Sequence, residues 1–282
     1  MKITRAMELI ASSRILKAAA RVEAARPYAA QLSSAMEDLA AHSGSLSHPL
    51  LEDRESPANV GVLVVTSDRG LAGSYNSSVL KVAEQAVADV RKRGLEPVLY
   101  VVGKKGVGYF RFRQVPMRRS WQGFSEVPPY AKAEEIGREL IEDFAAKEID
   151  EVRCAYTDFR SAFTLRAVQH RFLPIAPEEV GVTPTEREGE VDAEYLFEPE
   201  PEQILDALLP QYLITKVYAA LLESAASENA SRRRAMKAAT ENAEDIIKIL
   251  TRQANRARQD EITTEISEIV GGAEALSAAS GE

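Results

Sequence analysis

The sequence predicts an α/β fold joined to a long antiparallel α-helical coiled coil. The N- and C-terminal segments form the coil, and a small Rossmann-like parallel sheet domain lies between them. Three observations predict this. Strand and helix patterns alternate from residue 58 to 174. A heptad spacing of apolar residues runs through the first 57 positions. A helical pattern continues unbroken from about Gln211 to Ala273, which at 1.5 Å rise per residue is on the order of 90 Å. Globular helices rarely pass about 25 residues without caps, so this one has the dimensions of a shaft or spacer.

In the first segment, residues 1–57, the apolar positions Ile15, Ala18, Val22, Ala25, Ala29, Leu32, Met36 and Leu39 are spaced alternately three and four apart. That is a seam asking for a partner helix, and its alanines let two backbones approach closely. Pro27 removes one backbone donor and is expected to kink or restart the helix. Ile3, Ala6 and Ile10 already show helical spacing with no capping residue before them. The native helix is therefore expected to begin upstream.

The sheet domain, residues 58–174, opens on the apolar run Asn59 to Thr66, of the kind that a parallel strand buried on both faces shows. Ser78 to Arg93 is amphipathic and helical, Pro97 to Gly103 a second buried strand, Tyr130 to Ala146 a helix, and Glu151 to Thr157 a third strand. Alternation of this kind builds βαβ units and an open parallel sheet. Residues 175–201 are Pro-rich, acidic and without period, an exposed loop or insertion.

In the C-terminal segment, residues 202–282, the seam is clear at Tyr218, Leu222 and Ala225 and fades over Asn229 and Arg232. It resumes at Met236, Ala239, Ala243, Ile246 and Leu250. Gln253 and Asp260 then occupy positions where apolar groups belong. Ile262, Ile266, Ile269 and Val270 form a new stripe in another phase, and Gly271-Gly272 offers a stop.

Composition narrows the function. The net charge is −8, but residues 178–202 alone hold ten acidic residues against Arg187, leaving the remainder close to neutral. That balance argues against a general nucleic-acid binder. One cysteine, Cys154, excludes an internal disulfide and fits a reducing compartment. No run of 18 or more apolar residues spans a bilayer, and the first residues lack the apolar core of a signal peptide.

Candidate chemistry is sparse. Ser67-Asp68-Arg69-Gly70-Leu71-Ala72-Gly73-Ser74-Tyr75-Asn76 follows the first strand, where a sheet of this type usually holds phosphate. It has neither the G-x-G-x-x-G spacing nor the Gly-Lys-Ser/Thr of a phosphate loop, so it reads as a turn. His42, His48 and His170 have no Cys or Glu at ligand spacing, so no metal is expected. Cys154 lies in a buried strand as inert core. Arg232, Arg233, Arg234, Lys237, Lys248, Arg252, Arg256 and Arg258 make a basic stretch on the long helix. It reads as a solvated face, a DNA-reading basic region, or a surface meeting acidic loops of a partner. The Ala-rich repeat disfavours the second, since such a region runs into a Leu zipper.

The whole chain resembles the gamma subunit of rotary, proton-translocating ATP synthases. Lys2-Ile3-Thr4-Arg5-Ala6-Met7-Glu8 is similar to that family's N-terminal helix motif, and Ser67 to Gly73 to its first-strand loop. Ala235 to Ala243, together with Ala257-Arg258-Gln259 through Ile269-Val270-Gly271-Gly272-Ala273, resembles its C-terminal signature. The resemblance implies a central-stalk rotor that carries rotation of the proton-driven c ring to the catalytic alpha/beta hexamer, with epsilon and delta subunits as further partners. It implies a peripheral protein on the cytoplasmic face of the bacterial plasma membrane, with no cofactor, no catalytic site, no nucleic acid and no direct membrane insertion.

By that resemblance, Arg258, Gln259, Arg232, Met7 and Glu265 belong to rotor–beta contact and coupling. Ile262, Ile266, Ile269 and Val270 form an apolar bearing, and Tyr195, Leu196, Phe197 and Glu198 meet the c ring at the foot. The stretch from Pro177 to Glu194 looks like an insertion relative to many members. The rival reading is a coiled-coil scaffold carrying a small α/β domain.

Overall fold

The computed structural model describes residues 2–43, 48–161, 164–176, 179 and 201–279. Ten elements follow in order: α1 (Lys2–Ser43), β1 (Asn59–Val65), α2 (Tyr75–Lys92), β2 (Glu96–Val102), α3 (Lys104–Phe112), β3 (Arg119–Trp121), α4 (Tyr130–Ala145), β4 (Glu151–Phe159), β5 (Leu165–Leu173) and α5 (Pro201–Ala279). They fall into two compact units, one of residues 8–235 and one of residues 1–7 with 236–282.

The larger unit is built on a five-stranded sheet ordered β3-β2-β1-β4-β5. β1 pairs in parallel with β2 and β4, with Val62 opposite both Leu99 and Arg153. β5 closes the edge antiparallel to β4, with Cys154 opposite His170. The expected sheet was wholly parallel, and the strands β3 and β5 and the helix α3 are additions to it. β5 mixes polar with apolar residues and is buried only at Phe172 and Leu173, as an antiparallel edge strand can be. Its run Leu165 to Leu173 therefore lacks the continuous apolar signature that marked β1 and β2.

Strand periodicity divides the core in two. Val62 and Val64 point into a layer with Val79, Ala83 and Ala86 of α2 and with Val107 and Phe110 of α3. Leu63 and Val65 point the other way, into a larger layer with Ile136, Leu140 and Phe144 of α4. That layer also takes Leu205, Leu209, Leu213, Val217 and Leu221 of α5, and Leu32, Met36 and Leu39 of α1. α4 and α5 approach so closely that a Cβ at Gly137 would stand 2.7 Å from Ile214 Cγ1, which is why glycine occupies that helix position.

The two long helices run antiparallel. Ala25 and Tyr28 of α1 lie beside Thr215 and Tyr218 of α5, whereas Met36 and Leu39 share a core with Leu205 and Leu209. α1 buries Ala11, Ile15, Ala18, Val22, Leu32, Met36 and Leu39, the heptad positions read from the sequence with one more turn, apart from Ala25 and Ala29, which are only half-buried. Helix continues through Pro27 rather than restarting there, because buried Val22 and Leu32 anchor both sides of it. Pro210 is likewise inside α5, which starts ten residues before the expected Gln211, with Leu205, Leu209 and Leu213 buried around it. In both places tertiary packing outweighs a local penalty of about 3 kcal/mol. By composition alone part of α5 is apolar enough to cross a bilayer, yet its leucines here are this core.

In the smaller unit, Thr240 Oγ1 donates to Thr4 Oγ1 at 2.7 Å, and Met236 and Thr240 are buried. The expected seam positions Ile246 and Leu250 are both 56% exposed and so do not pack on α1. Gly271-Gly272 is no stop either, since α5 runs on to Ala279. Neither glycine adopts the positive φ that a terminating cap requires.

Candidate functional site

Two regions carry what the sequence singled out. The first lies at the C-terminal end of β1, where phosphate would sit in a nucleotide-binding sheet. There Asp68 ties the loop after β1 to the start of α3 and to the loop after β3. Asp68 accepts backbone N–H bonds from Gly123 at 2.8 Å, Ser125 at 3.0 Å and Lys104, the first residue of α3, at 3.1 Å. Its own N–H donates to Ser125 Oγ at 2.9 Å. Partial burial works to raise its pKa, but the backbone donors prevail and hold it below the usual carboxylate value.

Beyond Asp68 the same loop is tied to both long helices. Ser67 N and Oγ bind Asn76 Oδ1 at 3.0 Å. Leu71 takes a positive φ of 60° with its side chain exposed. Gly70 O accepts from Arg232 Nη2 at 3.4 Å. Arg232 is 6% exposed and pairs with buried Glu228 at 2.5 Å. It also lies 3.5 Å from Glu126, to which Arg14 approaches at 2.5 Å and Arg69 at 3.3 Å.

From Ala220 to Arg232 nearly every residue of α5 is buried, so this Ala-rich stretch is enclosed on all sides. That explains why the seam fades at Asn229 and Arg232. These positions build an internal polar knot instead of a heptad contact, with Asn229 Nδ2 donating to Ala225 O at 2.9 Å.

The second region is the exposed part of α5. Every residue from 245 to 273 is exposed, including Arg258, Gln259 and Glu265. The stripe Ile262, Ile266, Ile269 and Val270 is open to solvent, with Ile269 at 66% exposure. Ile246, Ile247, Ile249 and Leu250 add a further apolar surface. So much exposed apolar area on one helix marks an interaction surface.

Of the residues named from the sequence, the structure brings Arg258, Gln259, Glu265 and the stripe together along one stretch of helix. Met7 is half-buried on α1 within the same unit. Arg232 is the exception. Its guanidinium is turned inward to Glu228, so a direct surface contact to a partner, as expected from the sequence, does not fit its place. Tyr195, Leu196, Phe197 and Glu198 lie outside the described residues.

Sequence reasoning missed Glu126 and Glu228. A carboxylate four residues before Arg232 on a helix was the available signal for Glu228. Glu126, in the loop between β3 and α4, had none. Among the described residues no cluster of three His, Cys, Asp or Glu side chains is placed to hold a metal. Cys154 is buried and its thiol is pushed well above the ordinary value by desolvation.

A sheet domain packed on stretches of two long helices, one of which also carries a long exposed, half-apolar stretch, defines a protein built around a helical shaft. The comparisons give the particular family. The ATP synthase family model matches residues 1–276. The chain is 54% identical over 289 residues to the ATP synthase gamma chain of Mycolicibacterium smegmatis, spanning 98% of this chain and 92% of that one. It is 51% identical over 283 residues to that of Thermobifida fusca, spanning 99% and 92%.

The chain therefore belongs to the ATP synthase gamma chain family. In fold it resembles a chain of the central stalk and c-ring structure of Tetrahymena thermophila mitochondrial ATP synthase, with TM-score 0.61 and 24% identity over 84% of this chain and 99% of that one. A chain of the Euglena gracilis mitochondrial ATP synthase gives TM-score 0.58 and 15% identity over 98% and 96%.

Proposed function

We propose that this chain is the central-stalk rotor subunit of a proton-translocating ATP synthase. It carries rotation of the c ring to the alpha/beta hexamer in synthesis and the reverse in hydrolysis. The observation that carries this reading, beside the family, is the solvent-open length of α5 from 245 to 273, with an apolar stripe beside charged groups. A helix exposing that stripe needs a surrounding partner. An apolar sleeve around Ile262, Ile266, Ile269 and Val270 has few directional bonds to break, so it resists rotation little.

Arg258 and Gln259 meet a beta-subunit loop in this reading, and Glu265 and Met7 tune the same coupling. Residues 195–198 meet the c ring at the foot. The epsilon and delta subunits complete the assembly at the cytoplasmic face of the bacterial plasma membrane, where the chain is peripheral. Nucleotide chemistry belongs to the partners, and this subunit is non-catalytic.

The test is purification of the native assembly with subunit identification, followed by Arg258→Glu in membrane vesicles. Reversing that charge places an anion where a cation met an acidic partner, a like-charge clash. The chain is expected to co-purify with alpha and beta subunits, and the variant to lose ATP-driven proton pumping. Unchanged pumping removes the assignment of Arg258. ATP hydrolysis by the purified chain alone overturns the rotor reading.

A further inference from the structure

We infer that Glu126 is a positioning residue for torque transmission, the latch by which the sheet domain grips both helices of the shaft. This inference rests on the rotor reading above. The loop that carries Glu126 joins β3 to α4 and belongs to neither helix. From there its carboxylate reaches Arg14 of α1 at 2.5 Å, Arg69 of the loop after β1 at 3.3 Å and Arg232 of α5 at 3.5 Å. One side chain thus joins three separate parts of the chain.

Its base is rigid. Asp68 locks the two loops to each other through Gly123 and Ser125, the latter adjacent to Glu126. Arg232 is locked in turn by Glu228. The Glu126 side chain is 16% exposed; its Arg232 arm is buried at 7%, whereas the Arg14 and Arg69 arms are 38% and 68% exposed.

Mechanics explains why a charged latch belongs here. The seam between α1 and α5 and the core beneath it are apolar, and apolar contact is non-directional. Such a surface resists separation better than it resists sliding. An ion pair ties particular groups to one another, so sliding that separates them costs electrostatic energy. Torque entering through the sheet domain is a shear on its junction with the shaft. Glu126 is a charged group that meets both helices at that junction.

Glu126→Gln keeps the shape and removes the charge. In membrane vesicles carrying the full complex, ATP hydrolysis per assembled complex is expected to stay near the unaltered level. Protons pumped per ATP hydrolysed are expected to fall roughly threefold, within the range that mutations between coupled sites produce. Glu126→Asp, which keeps the charge, is expected to restore most of that ratio, which a merely structural role does not require.

If Glu126→Gln does not assemble, Arg69→Gln, at an exposed arm of the latch, decides the matter with a smaller fall in the same ratio. A ratio unchanged in every variant that assembles overturns the inference. So does a loss in which pumping and hydrolysis decline together with the amount of complex. If vesicles depleted of this chain pump protons as well as those containing it, the rotor reading itself fails, which separates the two outcomes.

Discussion

Arg232→Ala tests the buried knot most directly. Glu228 has its Oε1 bound by Arg232 at 2.5 Å, and among the described residues its buried Oε2 has no partner within hydrogen-bond geometry. Their side chains are 7% and 1% exposed, so removing the guanidinium strands a carboxylate in the interior. Breaking a buried pair in this way costs about 3–5 kcal/mol. The carboxylate escapes part of that cost by taking up a proton. Burial already raises its pKa, with the hydrogen bond and charge of Arg232 opposing the rise. Without Arg232 the pKa climbs further.

A folded pKa above the unfolded one means the penalty is absent below the unfolded value of about 4.5 and grows as pH rises through the folded value. The variant is therefore expected to be least harmed near pH 5 and most harmed at neutral pH and above. Urea unfolding followed through Trp121, the single tryptophan and a residue of this same sheet, measures the loss. Glu228→Gln in the Arg232→Ala background is expected to recover about 2 kcal/mol or more, since it removes the stranded charge. A loss below about 1 kcal/mol at pH 7.5, or no recovery in the double variant, refutes the reasoning.

Asp68→Asn is expected to cost about 1.5–3 kcal/mol at pH 7 by weakening three bonds to a charged acceptor. Because the Asp68 pKa is lowered on folding, its stabilisation is present above the ordinary value and lost as pH falls through the folded one. The gap between variant and parent should close in urea titrations carried into acid. Gly103→Ala is expected to be among the most damaging single changes in the sheet domain. Its φ is +95°, and a Cβ would lie 2.2 Å from Thr66 O, so a loss of at least about 3 kcal/mol or insoluble expression is the outcome to look for. Cys154 is expected to resist a thiol reagent in the native chain and to react at once in denaturant, a contrast that absorbance at the reagent's wavelength records.

Legibility followed the physics of each element. β1 and β2 were readable because strands buried on both faces write a continuous apolar run. The α1 seam was readable because a partner helix imposes its period, and Ile15, Ala18, Val22, Leu32, Met36 and Leu39 are buried accordingly. α3, β3 and β5 escaped notice. The first two are short, and β5 mixes polar and apolar residues on a half-exposed edge, so none leaves a run long enough to read. The two helix prolines misled for a single reason. Local propensity speaks for about one turn, whereas buried leucines on either side of Pro210 decide for a whole helix.

Sequence alone determined the α/β class, the two long helices, the absence of a phosphate-loop motif and, through four separated motifs, the family. These depend on periodicity and on residue type at fixed spacing, both of which a linear text carries. Tertiary structure decided that Asp68 ties three backbone segments together and that Arg232 faces inward to Glu228. It also decided that Glu126 meets arginines from three parts of the chain. These contacts join residues 36 to 112 positions apart, or turn on which side of a fully enclosed helix a charge points. Such pairings arise only when the sheet packs on the helices, and no local pattern encodes them.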